Sequence, residues 1–218
     1  MGKGLLNVQK SAFDVEYLQT IYSFTNKITL RDNNLILDDF ELFDENGNRA
    51  VVEGIVKNRY FKDFDFDLSL RAENFKFMET RAIHNQTFYG DAMASGLIRF
   101  IGQPGNLRLV VSAKTEKGTH IFVPINQGRD LQENNFITFI QPDTLVVQDE
   151  KADREYSVKL TGLSLDFDME VTRDATVEII FDPKVGDIMS ANGTGNIQLT
   201  LNPQNDFEIF GEYVIERG

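Results

Sequence analysis

Apolar and polar side chains alternate along most of the chain, most clearly in FKDFDFDLSLRAENFKFM at residues 61–78. Even positions from Phe64 to Ala72 are apolar, whereas odd positions from Asp63 to Arg71 are polar or charged. Side chains of a strand point alternately to the two faces of a sheet. The period of two therefore predicts a strand with one apolar face and one acidic face.

The same one-sided alternation recurs in most other segments, and turn signals such as DENGN, GQPGN, EKGT, TRDA and NPQND separate them. An antiparallel sheet with one solvated face has this pattern. Residues 11–22 fit either a strand or a short helix, and residues 127–135 and 141–155 are predicted to be polar loops. Glycines inside strands allow bulges and sharp bends, so we expect a strongly curved sheet. These glycines are Gly54, Gly90, Gly96, Gly162 and Gly211.

Composition narrows the function classes. The chain has 218 residues with 22 Lys and Arg against 34 Asp and Glu, a formal net charge of −12. A charge of this sign opposes binding to polyanions, so we expect no nucleic-acid partner. The sequence contains no cysteine, which excludes disulfides, a thiolate nucleophile and a cysteine metal site. No apolar run approaches the ~20 residues of a membrane-spanning helix, so the chain as given is expected to be soluble.

Candidate chemistry is sparse. The two histidines, His84 and His120, lie in unrelated contexts without a catalytic or zinc motif around them. The aspartates of residues 63–67 lie on the polar phase of a strand, where a solvated face is the simpler interpretation. DENGN lacks the glycine and the closing glutamate of a calcium loop. We therefore expect no catalytic residue, metal or cofactor, and no enzymatic activity.

Two architectures fit the alternation. In a closed β-sandwich or barrel the apolar faces pack on each other, which is the more common use of such strands. In an open trough the apolar face instead remains available to a ligand. Three function classes stay open on the residues alone: a lipid-conducting groove, a scaffold or chaperone that adds strands at its edge, and a carbohydrate-acting β-helix enzyme.

Several segments, taken in order, resemble the conserved C-terminal region of the TamB family, the translocation and assembly module subunit, in its Bacteroidota branch and within the AsmA-like superfamily. They are YLQTIYSF (17–24), FELFDENGNRAVVEGIV (40–56), YGDAMASGLIRFIGQPGNL (89–107), AKTEKGTHIFVPI (113–125), NNFITFI (134–140), FDPKVGDIMSANGTGNIQL (181–199) and DFEIFGEYVIERG (206–218). The resemblance implies an all-β fold: a long curved antiparallel sheet folded into an open trough, the β-taco. Residues 1–218 would form a single elongated segment of a larger TamB-like protein, because family members continue beyond EYVIERG.

The resemblance also implies a function. Members are implicated in phospholipid transport between the inner and outer membranes and in outer-membrane biogenesis, are periplasmic, and are anchored in the inner membrane. The expected partners are phospholipid acyl chains and an outer-membrane barrel of the TamA/BamA type. The isolated segment is also expected to self-associate. A chaperone or scaffold for outer-membrane protein assembly, and a closed β-sandwich binding module, remain alternatives.

If the apolar phase lines a lipid groove, its lining can be predicted from strand phase. The predicted lining residues are Phe64, Phe66, Leu68, Leu70, Ile98, Phe100, Leu107, Leu109, Val111, Leu163, Leu165, Phe167, Met169, Ile197, Leu199 and Leu201.

Overall fold

The computed structural model describes residues 3–59, 62–85, 88–124, 162–182, 187–203 and 207–218. These residues form twelve strands, which confirms the all-β prediction. Within them no helix has the length and apolar character that crossing a membrane requires. The predicted polar loops at 127–135 and 141–155 lie outside the described residues.

The strands follow the alternating segments closely. They are β1 (Lys3–Val15), β2 (Thr20–Arg31), β3 (Asn34–Phe43), β4 (Arg49–Arg59), β5 (Lys62–Thr80), β6 (Tyr89–Gln103), β7 (Asn106–Thr115), β8 (His120–Pro124), β9 (Leu163–Val171), β10 (Thr176–Asp182), β11 (Asp187–Leu201) and β12 (Phe207–Arg217). Residues 11–22 are the end of β1, a turn and the start of β2, so the strand interpretation of that segment is correct and the helix interpretation is wrong.

All twelve strands belong to one sheet, in the order β1-β2-β3-β4-β5-β6-β7-β9-β11-β10-β8, with β12 paired to β11. The prediction of a wholly antiparallel sheet is wrong for two pairs, because β7 runs parallel to β9 and β8 runs parallel to β10. Parallel neighbours need a long connection. The connection from β8 to β9 includes residues 125–161, so the chain has the length to provide one.

The open-trough prediction is not confirmed as it was made, because β6, β7, β9, β11, β10 and β8 pair in a closed circuit. The strand register shows that this circuit surrounds only the turns at 116–119 and 172–175. Leu107 pairs with Leu163 and His120 with Thr176, the same offset of 56 residues. β7 and β8 thus follow one course, interrupted by the turn at 116–119, and β9 and β10 follow another, interrupted at 172–175.

Hydrogen bonds join these two turns where the ladder is broken. The Thr172 amide donates to Thr115 Oγ1 over 2.8 Å, and the Thr176 amide donates to the Thr119 carbonyl oxygen over 2.9 Å. The strands at the two ends of the sheet, β1 and β12, each pair on one side only within the described residues. The closure is therefore local to the two turns and does not join β1 to β12.

The sheet curls most clearly between β2 and β5. These strands are separated by β3 and β4 in the sheet order, yet the rings of Tyr22 and Phe75 stack with centroids 5.1 Å apart. Neighbouring strands lie ~4.8 Å apart, so a flat sheet would hold β2 and β5 ~14 Å apart. The contact shows that the sheet bends around its apolar side at this point.

Gly54 on β4 permits a close approach to the backbone of β5. Gly54 has φ of +137°, and a Cβ there would lie 2.2 Å from the carbonyl oxygen of Asp67 on β5. A side chain at this position would clash with the backbone of the neighbouring strand and would be strained by the positive φ. The backbone therefore requires glycine at position 54, one of the strand glycines that the sequence pattern singled out.

Candidate functional site

The candidate site is the apolar face of the sheet, here called the inner face. Register partners in a ladder carry side chains on the same face. Leu68 pairs with Phe100, Phe100 with Leu109, Leu109 with Leu165, and Leu165 with Leu201. One apolar row therefore crosses β5, β6, β7, β9 and β11 without interruption.

Three further rows run beside it and contain the rest of the predicted lining except Phe64. One row joins Leu70, Ile98, Val111, Phe167 and Leu199. Leu107 pairs with Leu163, and Met169 pairs with Ile197. Phe66 pairs with Gly102, and Phe64 stacks on Phe66 with ring centroids 6.5 Å apart. The structure thus places all sixteen predicted residues on one continuous surface, while their contact with lipid stays a prediction.

The predicted lining residues, which lie on β5, β6, β7, β9 and β11, are mostly only partly covered. Of the sixteen residues, Leu70 and Val111 are buried, and the other fourteen are half-buried. Side chains in a protein core normally lie close-packed with almost no accessible surface. The half-buried rows are therefore apolar surface that the described residues do not fully cover.

The other end of the inner face, on β2 to β5, is ordinary core. Its buried cluster comprises Tyr22, Phe40, Leu42, Ala50, Val52, Leu70, Ala72 and Phe75. Ala50, Ala72 and Phe75 are 0%, 2% and 1% exposed. Of this cluster the sequence prediction contained only Leu70, although the alternation in LILDDFELF and RAVVEGIVKN carries the signal for the residues of β3 and β4.

Hydrogen bonds close this end of the inner face at the turn between β3 and β4. The buried carboxylate of Asp44 accepts bonds from the amides of Asn46, Asn48 and Lys76 at 2.8–2.9 Å. The hydroxyl of Tyr22 donates to the carbonyl oxygen of Lys76 over 3.0 Å. The predicted turn DENGN is therefore a structural anchor, since its first residue binds the backbone of β5.

Charged groups surround the Lys76 side chain at the same end. Its Nζ lies 2.5 Å from Glu45 Oε1 and also contacts Glu79. Burial lowers the pKa of Lys76, but the bonds to both carboxylates outweigh it, so the pKa is raised. The bond from Lys76 is the main cause that lowers the pKa of Glu79. Both shifts favour the charged pair, which lies on the rim of the closed end.

Polar residues occupy the opposite, outer face. Arg108 Nη2 lies 2.6 Å from Asp166 Oδ2, and Arg99 Nη2 lies 3.9 Å from Asp67 Oδ1. These side chains are roughly half exposed, and exposed pairs typically contribute ~0–1 kcal/mol. The outer face therefore acts mainly as a solvated surface.

The two histidines lie apart and bind local partners. His120 Nε2 is 2.8 Å from Glu178 Oε1, and His84 Nδ1 accepts a bond from the Arg81 amide over 3.1 Å. The described part of the chain contains no group of three or more side chains positioned to hold a metal ion.

The edge strands expose apolar side chains on both of their faces. Leu5 and Leu6 on β1 are 58% and 53% exposed, and Ile209 and Phe210 on β12 are 58% and 57% exposed. Unpaired edges with apolar side chains favour association with other strands. The predicted self-association therefore has a structural basis and stays a prediction.

Comparison with known proteins identifies the family to which the chain belongs. The sequence profile of the TamB C-terminal domain matches residues 38–218. The chain belongs to the TamB family. No curated protein and no solved structure matches the chain. Membership of the TamB family assigns the protein to the bacterial cell envelope, to outer-membrane protein assembly or envelope transport, and to a family that works with the outer-membrane protein TamA.

Proposed function

We propose that the inner face of this TamB domain is a groove that holds phospholipid acyl chains during transport between the inner and outer membranes. The observation that carries the proposal is the set of continuous half-buried rows across β5 to β11, of which Leu68-Phe100-Leu109-Leu165-Leu201 is the clearest. We also propose that the sheet forms an open trough along these strands.

The length of the rows supports this role. Five strands at ~4.8 Å spacing give a row of ~19 Å measured along the sheet. One leaflet contributes about half of the ~30 Å hydrocarbon core of a bilayer, so the row is at least as long as one acyl chain. Transfer of each methylene from water to such a surface contributes ~0.8 kcal/mol. Apolar contact alone would therefore retain a chain without any charged anchor.

The proposal needs no catalytic group, and we propose that the protein is not an enzyme. The acidic outer face would keep the segment in solution while the inner face carries its cargo. In the complete protein an inner-membrane anchor and an outer-membrane barrel would fix the two ends of the route.

A second function is favoured by the exposed edge of β12. An edge strand with unpaired backbone groups binds other strands by addition, so a chaperone or scaffold for strands of outer-membrane proteins is the second candidate. Strand addition would use the backbone of β12, whereas lipid binding uses the side chains of the inner face. The two functions therefore respond to different substitutions.

Site-specific photo-crosslinking in cells tests the proposal. A crosslinking amino acid is placed singly at Leu68, Leu109 and Leu165 on the inner face. The matched controls are Asp67, Arg108 and Ser164, which immediately precede them on the outer phase. Capture of phospholipid at the three inner positions and not at the controls supports the groove. Equal capture on both phases, or capture at neither, contradicts it.

A further inference from the structure

The β1–β2 hairpin (Lys3–Arg31) is joined more firmly to itself than to the rest of the sheet. β1 and β2 are in register at eleven positions. β2 and β3 are in register at four, three of which lie beside the connecting turn and one at Ser23. Between these positions the ladder gives way to side-chain bonds, in which Asn26 Nδ2 donates to the carbonyl oxygen of Glu41 over 2.7 Å.

The hairpin is joined to β3 by a tight turn. Asp32 and Asn33 both have positive φ, +49° and +66°, as in the type I′ turns that connect two strands. The firm pairing of β2 with β3 is confined to the positions next to this turn. The base of the hairpin is therefore fixed, while its middle depends on fewer backbone bonds.

The hairpin packs on the buried cluster through Val15, Tyr22, Phe24 and Ile28, and its tip makes direct contacts to β5. The ring of Tyr22 stacks on Phe75, and the Tyr22 hydroxyl binds the carbonyl oxygen of Lys76. The amide of Glu79 donates to the carbonyl oxygen of Leu18 over 2.9 Å. These contacts join strands that are not neighbours in the sheet, so they can break without disturbing the ladders of β3, β4 and β5.

The tip lies over a part of the inner face that continues the partly covered rows. Ala50 pairs with Ala72, Ala72 with Gly96, and Gly96 with Ala113. Ala50 and Ala72, at the hairpin end, are 0% and 2% exposed, whereas Gly96 and Ala113 are half-buried. A single row of small residues is thus sealed at one end and accessible at the other.

We propose that the β1–β2 hairpin is a removable cover that blocks the acyl-chain groove at β4 and β5. The inference rests on the proposed function and adds its regulation. With the tip on β5, acyl chains reach the partly covered rows from Leu68 on β5 to β11 but not the floor at Ala50 and Ala72. When the tip leaves β5, the floor at Ala50 and Ala72 becomes continuous with the row at Gly96 and Ala113, and the groove lengthens toward β3.

A reversible disulfide tests the cover. The chain has no cysteine, so a Leu18→Cys and Glu79→Cys double variant contains a single pair. The 2.9 Å hydrogen bond between the Glu79 amide and the Leu18 carbonyl oxygen keeps the two Cα atoms within about 7 Å, the upper limit for a disulfide. The oxidised protein is the locked cover, and the reduced form of the same protein is its matched control. The probe is pyrene-labelled phosphatidylethanolamine offered from phosphatidylcholine vesicles.

We expect the oxidised protein to bind less pyrene lipid than the reduced protein and to recover on reduction. Tyr22→Ala, which removes the stacking contact, should bind more lipid than the parent protein. A crosslinker at Leu109, away from the cover, reports lipid in every form. Capture at Leu109 with equal binding in the oxidised and reduced proteins overturns the cover and leaves the groove intact. Absence of capture at Leu109 in all forms overturns both.

Discussion

The ring of Tyr22 stacks on the ring of Phe75 with centroids 5.1 Å apart, although two strands separate them in the sheet. The contact divides the inner face into a sealed end and a partly covered end. Phe75 is 1% exposed at the sealed end, whereas Leu68, seven residues earlier on the same strand, is half-buried. One strand therefore carries both protein core and candidate groove.

Alanine substitutions on β5 should distinguish the sealed end of the inner face from the partly covered end. Phe75→Ala removes a fully packed ring and is expected to lower the free energy of unfolding by about 3–5 kcal/mol. Leu68→Ala removes a partly covered side chain, so its cost should be at or below about 2 kcal/mol. Urea unfolding of the lipid-free protein measures both. Equal losses would mean that the whole strand is ordinary core.

Alkaline pH should weaken the sealed end through Tyr22. Burial raises the pKa of Tyr22 from 10.0 to about 12, with the hydrogen bond with Thr20 opposing and the nearby Asp44 carboxylate adding to the shift. The unfolded chain ionises this phenol first, so its contribution is fully present below pH ~10 and is lost as the pH rises toward ~12. A pKa difference of about 2 between the folded and unfolded states corresponds to a loss of about 2–3 kcal/mol in the free energy of unfolding.

The Tyr22→Phe variant isolates this contribution from other groups that titrate at high pH. The stability difference between the parent protein and Tyr22→Phe should be constant below pH ~10 and should shrink between pH ~10 and ~12. Unfolding midpoints measured across this range provide the comparison. Parallel curves for the two proteins would show that the phenol is not buried as described.

The Asp44 carboxylate should be necessary for the β3–β4 turn. It is 4% exposed and accepts three backbone amide bonds. Asp44→Ala removes the acceptor of these amides, of which those of Asn48 and Lys76 belong to half-buried residues. At ~1–3 kcal/mol for an unsatisfied group, we expect a loss of about 2 kcal/mol or more. Asp38→Ala is the control, because Asp38 is exposed and, unlike Asp39 with φ of +51°, has a backbone conformation that alanine adopts without strain. Similar thermal midpoints for both variants would argue against the anchor.

The amino-acid pattern predicts the strands and the inner-face phase well, because a period of two is a local property. It fails where the backbone departs from regular pairing. In β5 the register shifts between Ala72 and Phe75, and a bulge of this kind reverses which phase faces inward. Phe75, an odd-numbered residue, therefore faces the core although odd positions earlier in β5 face outward.

The alternation of apolar and polar residues also does not predict which distant segments of the sequence pair with each other. The parallel pairing of β7 with β9, and the four-residue turns that split two strand courses, depend on which segments meet in space. The contact of Tyr22 with Phe75 depends in the same way on curvature accumulated over four strands. The apolar rows follow from the sequence pattern, whereas the burial of Phe75 beneath Tyr22 does not.

If the inner face across β5 to β11 binds acyl chains, two adjacent substitutions on β7 should affect lipid binding differently. Leu109→Asp places a carboxylate on the inner face, and Val110→Asp places the same group on the outer phase of the same strand. Native mass spectrometry of the purified proteins gives the bound lipid, and thermal melting after delipidation gives the stability.

Acyl-chain binding by the inner face predicts that Leu109→Asp remains folded, with a melting temperature within a few degrees of Val110→Asp, and carries less phospholipid than Val110→Asp. A melting temperature for Leu109→Asp lower by ~10 °C or more, as about 4 kcal/mol would produce in a chain of this size, or equal lipid content in the two variants, would contradict it.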